Sequence, residues 1–250
     1  MDENMKKDYT KCYIAFLDIL GFKNRINHSS CQEILDIYKD IKNPLKSIHI
    51  GDKNNSAQEI YTARQIKTKV MSDSICFYID ADLTDSLFCL LSCCAIFQAK
   101  LLSLQTPVLV RGAIVLGDLY AQNDVTFGPG LTQAYLLEEG GAKYPRIIIT
   151  KETLSSSFCN ISRRSFQTNI DELVLCDTDK YYYVNWQNFF FDSQLSNKNS
   201  DSAKCVVNFK AHVENVLDCT TDFSIREKYL YLDEKIRSYE QNLGDNHDQL

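Results

Sequence analysis

The chain has 250 residues, a formal net charge of -6, 44% hydrophobic residues and 24% charged residues. That length and balance belong to a globular protein with ample core, and the acidic total excludes a global basic footprint for nucleic acid. An acidic chain that handles a polyanion must concentrate its positive charge locally or use metal ions.

Of the ten cysteines, Cys76, Cys89, Cys93 and Cys94 lie in apolar stretches, where free cysteine acts as a small hydrophobe. No CxxC pair occurs, and no Cys/His group has zinc spacing. Met1 to Lys11 is charged, unlike a signal peptide. Leu83 to Leu104 is interrupted by Asp85, Gln98 and Lys100, which suits a buried helix and not a membrane span. These features predict a reduced, cytoplasmic protein with no membrane or nucleic-acid partner.

The first predicted element is a strand over Tyr13 to Leu17, an unbroken apolar run that ends on Asp18, with Gly21 three residues on. Ser30 and Glu33 form a capping box, followed by Ile34, Ile37, Tyr38 and Ile41 at helical spacing up to Asn43-Pro44. His49 to Ser56 reads as a polar loop. Glu59 to Met71 mixes β-branched and basic residues and predicts a half-exposed strand, with Lys67 and Lys69 on one face. Ser72-Asp73-Ser74 is a tight turn into the strand Ile75 to Ile79, a hairpin with Asp73 at its tip.

Asp82 or Thr84 is expected to cap a helix carrying Leu87, Leu91, Cys94, Ala95, Leu101 and Leu102. Val108 to Leu116 is a strand containing Arg111-Gly112, with Gly117 at its end. Asp118 to Thr126 reads as an excursion. Pro129 then suits the first turn of a helix over Leu131 to Glu139, stopped by Gly140-Gly141. Arg146 to Thr150 is a strand and Lys151 to Ser155 a short helix. Glu172 to Cys176 and Tyr181 to Trp186 predict paired strands, and Asn188 to Lys204 a polar loop. Lys210 to Cys219 and Ser224 to Tyr239 have helical periodicity, and the tail after Glu240 is polar. Two strand-helix-strand units flanking a hairpin predict an α+β fold, a ferredoxin-like mixed sheet with helices on one face.

In that layout the first strand and the hairpin are neighbours, so Asp18 and Asp73 project from one sheet edge. Two close carboxylates repel unless a cation lies between them. Such a pair suits metal-assisted phosphoryl transfer, with the amides of Ile19 to Phe22 near the phosphates. Taken singly, each aspartate has a plainer role as a helix cap or a turn residue.

The run Phe16-Leu17-Asp18-Ile19-Leu20-Gly21-Phe22 resembles the metal-binding segment of class III nucleotidyl cyclases. Lys69-Val70-Met71-Ser72-Asp73 resembles the hairpin with the second metal aspartate. Arg111-Gly112-Ala113-Ile114 with Gly117 resembles the strand that follows, and Phe127-Gly128 with Leu131 to Glu138 the glycine-led helix near the substrate. The wording, including Ala142-Lys143-Tyr144-Pro145-Arg146-Ile147 and Arg226-Glu227-Lys228-Tyr229-Leu230, is most similar to bacterial pyrimidine cyclases of the Pycsar anti-phage system.

The resemblance implies a catalytic domain over 12–160 and an extension over 161–250, with helices at about 210–240, that completes the sheet and dimer. It implies two divalent cations, Mn²⁺ or Mg²⁺, held by Asp18, Asp73 and the backbone of Ile19. It places Phe16, Gly21, Phe22 and Lys69 around the nucleotide, Lys69 where adenylate cyclases read the base. It also implies a homodimer with composite active sites. The family's asparagine and transition-state arginine fall at Thr132 and Leu136, and its base-reading aspartate at Val125. That leaves Arg111, Lys143 and Arg146 as candidate cations, each with an alternative reading as a structural or solvated charge.

The expected function is conversion of UTP to 3′,5′-cyclic UMP and pyrophosphate, producing a second messenger in anti-phage defence. CTP is the alternative substrate. A degenerate, non-catalytic nucleotide-binding homologue is the rival from another class. A diguanylate cyclase or polymerase palm ranks below, because Met71-Ser72-Asp73-Ser74 stands where a Gly-Gly-Asp/Glu-Glu-Phe run would be.

Overall fold

The computed structural model describes residues 9–36, 38–39, 65–156, 170–192 and 200–247. Strand β1 (Thr10–Ile19) is central, with β3 (Ser74–Asp80) and β4 (Val110–Gln122) antiparallel on its two sides. β2 (Lys67–Met71) pairs with the outer edge of β3 across the Ser72-Asp73 turn. Beyond β4, β6 (Ile147–Ile149) runs parallel to it, which makes the sheet mixed. β7 (Val174–Cys176) and β8 (Tyr182–Val184) extend the order to β2-β3-β1-β4-β6-β8-β7, and β5 (Val125–Phe127) folds back on the end of β4.

The continuous apolar run of β1 follows from burial on both faces. Tyr13, Ala15, Leu17 and Ile19 join one core cluster, and Ile14 and Phe16 join another, as the two-residue period requires. The short helix α1 (Phe22–His28) leads off from β1, and the first cluster is closed by the long helix α2 (Ser86–Leu102). The second is closed by α3 (Pro129–Gly141) through Ala134. The α+β class and the mixed sheet agree with the sequence reading, but the helices divide between the faces. Gly117 and Gly130 bring α3 against the far side, where a Cβ on Gly117 would stand 2.4 Å from the Gly130 Cα.

After β6 come α4 (Lys151–Ser156), α5 (Ile170–Leu173) and a long antiparallel pair, α6 (Ser200–Cys219) and α7 (Phe223–His247). α2 is apolar all round because this second layer covers its outer side. Ala99 and Leu102 of α2 share a cluster with Trp186, Phe190, Phe209, Val213, Leu232 and Ile236. The expected loop over Asn188 to Lys204 contains a π-helical turn, Asn188–Asp192, whose Phe190 and Phe191 are buried against Trp186. α6 also begins ten residues ahead of Lys210, and α7 runs on to His247.

Two local readings change. The excursion after Gly117 is the second half of β4 and a hairpin to β5, turned by Asn123 and Asp124, both at positive φ. The residue preceding α2 is Asp85, which makes no side-chain capping bond. The Ser30/Glu33 capping box is present, with the Ser30 amide donating to Glu33 Oε2 at 2.6 Å and the Glu33 amide to Ser30 Oγ at 3.3 Å. The helix end at Asn43-Pro44, the loop His49 to Ser56, and positions 59–64 of the strand expected over Glu59 to Met71 lie outside the described residues.

Candidate active site

Asp18 is the last even-numbered residue of β1 and lies on the α3 face, opposite Ser74 of β3 and Arg111 of β4. Asp73 precedes Ser74, so both carboxylates leave the same end of the sheet. The Ile19 amide donates to the Asp73 carbonyl at 3.0 Å, tying the two segments together. The Tyr38 hydroxyl donates to the Ser72 carbonyl at 2.5 Å and pins the turn from outside, while Ser72 itself takes a left-handed φ of 54°. Phe22 packs edge-on against Tyr38 and is buried in the core. Its side chain therefore supports the Asp73 turn and does not face a nucleotide. The Phe16 side chain is likewise buried, edge-on to Tyr135 of α3.

The expected phosphate cradle over Ile19 to Phe22 is narrower than the sequence suggested. The Ile19 and Leu20 amides already donate to Asp73 and Leu109 carbonyls, so only Gly21 and Phe22 of that run are left to offer theirs. Gly21 holds a φ of 74° with open space where a Cβ would stand, and this turn sends the chain from β1 into α1.

Arg111 is the cation of the site. Its Nε donates to Asp18 Oδ2 at 3.3 Å and lies 2.7 Å from Glu138 Oε1. The second contact is an ion pair without hydrogen-bond alignment, so Glu138 Oε1 is buried with no directed donor among the described residues. Burial raises the Asp18 carboxyl above its usual range and the charge of Asp73 adds to this, while Arg111 pulls it back. Burial also pushes Glu138 up to about 7, with the Asp18 charge adding and Arg111 opposing.

Glu138 was not among the sequence candidates. Its signal is the spacing Gly130, Ala134, Glu138, Gly141, the buried stripe of α3. A lone carboxylate in a stripe of small residues needs a cation opposite, and Arg111 supplies it. Of the other candidate cations, Arg146 is fully buried and paired with Asp177 and Asp179, so it cannot reach a substrate. Lys143 is exposed and paired with Glu227 at 2.7 Å. Thr132 and Leu136 lie on the exposed side of α3.

Lys69 reaches Asp124 at 3.2 Å, so the carboxylate near this lysine comes from the β4–β5 turn, one residue before Val125. Lys67 and Lys69 sit opposite Tyr78 and Cys76 and so share the α3 face of the sheet.

A hard divalent cation takes oxygen ligands, and Asp18 and Asp73 offer two carboxylates beside the backbone of Ile19. Arg111 occupies only one Asp18 oxygen. Among the described residues no group of three or more His, Cys, Asp and Glu side chains forms a self-sufficient metal site. The pair therefore fits a metal whose remaining ligands are water and phosphate oxygens. Among the described residues, no helix is long and apolar enough to cross a membrane.

The fold is that of the class III cyclase catalytic domain. The monomeric guanylyl cyclase domain of the RhoGC fusion protein from the aquatic fungus Blastocladiella emersonii superposes with a TM-score of 0.50 at 13% identity, over 72% of this chain and 96% of that one. The adenylyl cyclase CyaB from P. aeruginosa gives a TM-score of 0.44 at 14% identity, over 70% and 93%. A bacterial light-regulated adenylyl cyclase gives 0.41 at 13% identity, over 80% and 98%. No protein-family model matches the chain, and no curated protein matches it in sequence.

Proposed function

We propose that this chain is a nucleotidyl cyclase. The carrying observation is the convergence of Asp18 and Asp73 at one sheet end, tied by the Ile19 amide, with Arg111 beside them. The substrate is a nucleoside triphosphate. Its 3′-hydroxyl gives up a proton, the 3′-oxygen forms a bond to the α-phosphorus, and the bond from that phosphorus to pyrophosphate breaks. Bound divalent ions, Mn²⁺ or Mg²⁺, supply charge neutralisation and lower the pKa of the attacking hydroxyl. Asp18, Asp73 and the Ile19 backbone hold them, and Arg111 presents its guanidinium to the triphosphate.

Within this reading the substrate is a pyrimidine triphosphate, UTP ahead of CTP, and the product a second messenger in anti-phage defence. The sequence resemblance around Asp18, Arg111 and Lys143 to Arg146 supports both. Lys69, steadied by Asp124, reads the base. The active unit is a homodimer with composite sites. Exposed apolar side chains on α3 (Tyr135, Leu136) and the β5 hairpin (Val125, Phe127) support a partner surface there.

The test is incubation with each of the four ribonucleoside triphosphates and Mn²⁺ or Mg²⁺, with chromatography of the products. UTP should give cyclic UMP and pyrophosphate. No cyclic product from any triphosphate would overturn the enzyme reading, and full activity in Asp73→Ala the metal assignment.

A further inference from the structure

Arg111 stands between two carboxylates and is aimed at the more distant one. Its Nε–H points to Asp18 Oδ2 at 3.3 Å, although Glu138 Oε1 is nearer at 2.7 Å. The Glu138 side chain is 3% exposed and the Asp18 side chain 23%, so Glu138 is the more desolvated partner. Among the described residues its Oε1 has no directed donor, which leaves a buried acceptor unsatisfied. Arg111 is the cation against it: its Nη1 donates to the Ala142 carbonyl at 3.5 Å, and turning the Nε–H off Asp18 would bring it into line with Glu138.

We infer that Glu138 is a positioning residue that receives Arg111 when a divalent cation takes Asp18. This rests on the metal assignment proposed above and deepens it. Asp18, Asp73 and Glu138 carry three negative charges against the one positive charge of Arg111. The surplus of two matches one divalent ion. With the ion at Asp18 and Asp73, the guanidinium is repelled from Asp18 and held by Glu138. It stays within the site, facing the phosphates, and does not drift into solvent. Arg111 and the metal thus compete for Asp18, and Glu138 decides how hard that competition is.

The probe is Mn²⁺ alone, titrated into the full chain at pH 8 and followed by the electron paramagnetic resonance signal of the free ion. In Glu138→Gln, Arg111 has Asp18 as its remaining carboxylate, and Mn²⁺ should bind about tenfold more weakly. Arg111→Gln frees Asp18, and Mn²⁺ should bind at least as tightly as in the unaltered chain. The deciding variant carries both changes. In the Arg111→Gln background, Glu138→Gln should change the Mn²⁺ affinity by less than about threefold, because the coupling runs through the arginine.

An equal weakening by Glu138→Gln with and without Arg111 would overturn the inference, since it would show plain charge repulsion. Unchanged affinity in the single Glu138→Gln variant would overturn it as well. If Mn²⁺ binding shows the coupling but no triphosphate is cyclised, the inference stands and the enzyme reading falls. If the unaltered chain binds no Mn²⁺, the inference falls, and the enzyme reading is decided by the triphosphate assay alone.

Discussion

The Gly112 amide donates to the Arg146 carbonyl at 3.0 Å, joining the residue beside Arg111 to a guanidinium that is itself fully buried. Arg146 is bound by Asp177 and Asp179, and Asp177 accepts from Lys235 Nζ at 2.9 Å and from the Tyr231 hydroxyl at 2.9 Å. The rings of Tyr144 and Tyr231 stack at 4.7 Å beside the same guanidinium. A polar staple therefore runs from α7 to the strand that carries the site's arginine.

Removing the centre of that staple leaves two buried cations without their shared carboxylate. Asp177→Asn should cost about 3 kcal/mol, read by urea or thermal unfolding. The pH dependence has a definite sign. Burial works to raise the Asp177 carboxyl, but its bonds from Lys235, Thr178 and Tyr231 outweigh this and hold it below 3.8. Its contribution is therefore fully present above that value and is lost as pH falls through the lower, folded one. The variant's melting curve should flatten in that acid window.

Glu138 has the opposite sign. Its carboxyl moves from 4.5 to about 7 on folding, so between those values the folded chain keeps a proton that the unfolded chain has released. Its contribution is present below 4.5 and lost as pH rises through about 7. The loss is on the order of 3 kcal/mol for that shift. With metal chelated, Glu138→Gln should abolish this decline between pH 4.5 and 7.

Tyr38 touches neither aspartate, yet its hydroxyl holds the Ser72 carbonyl. Tyr38→Phe keeps the ring against Phe22 and loses only the bond. The turn carrying Asp73 gains freedom, and kcat should fall about tenfold, with melting temperature little changed. Unchanged kcat would show that the Ile19–Asp73 bond alone fixes the turn.

Close approach of backbone is required where α3 crosses β4. A Cβ on Gly130 would meet the Ile14 Cδ1 at 2.6 Å and the Gly117 carbonyl carbon at 2.8 Å. Gly130→Ala must push α3 off the sheet and carry Glu138 with it. A loss of about 2 kcal/mol is expected by denaturant titration, with weakened Mn²⁺ binding.

The sequence made β1, the β2–β3 hairpin, α2 and α3 legible through periodicity, and placed Asp18 and Asp73 together because strand order follows from the element order. It could not separate the two sides of the sheet for the helices, since sidedness depends on which strand residues a helix meets. The polar letters of Asn123-Asp124 hid a hairpin, although an Asn-Asp turn at positive φ is itself a strand-pairing signal. Glu138 and Arg111 lie far apart along the chain, and no local pattern joins them. Arg146 stands in the sequence as a candidate site cation or a solvated charge, and neither reading anticipates its burial. Its carboxylates lie 31 and 33 residues away, beyond any window of sequence.

The staple also fixes an order of events as the chain is made. Arg146 leaves the ribosome 31 residues before Asp177, and Asp177 leaves 58 residues before Lys235. Until α7 supplies Lys235 and Tyr231, Asp177 and Asp179 set two negative charges against the single positive charge of Arg146, and the cluster that ties down this edge of the sheet is incomplete. The metal-site end of β1 can pair early with β3, but its arginine strand settles only when the last helix docks.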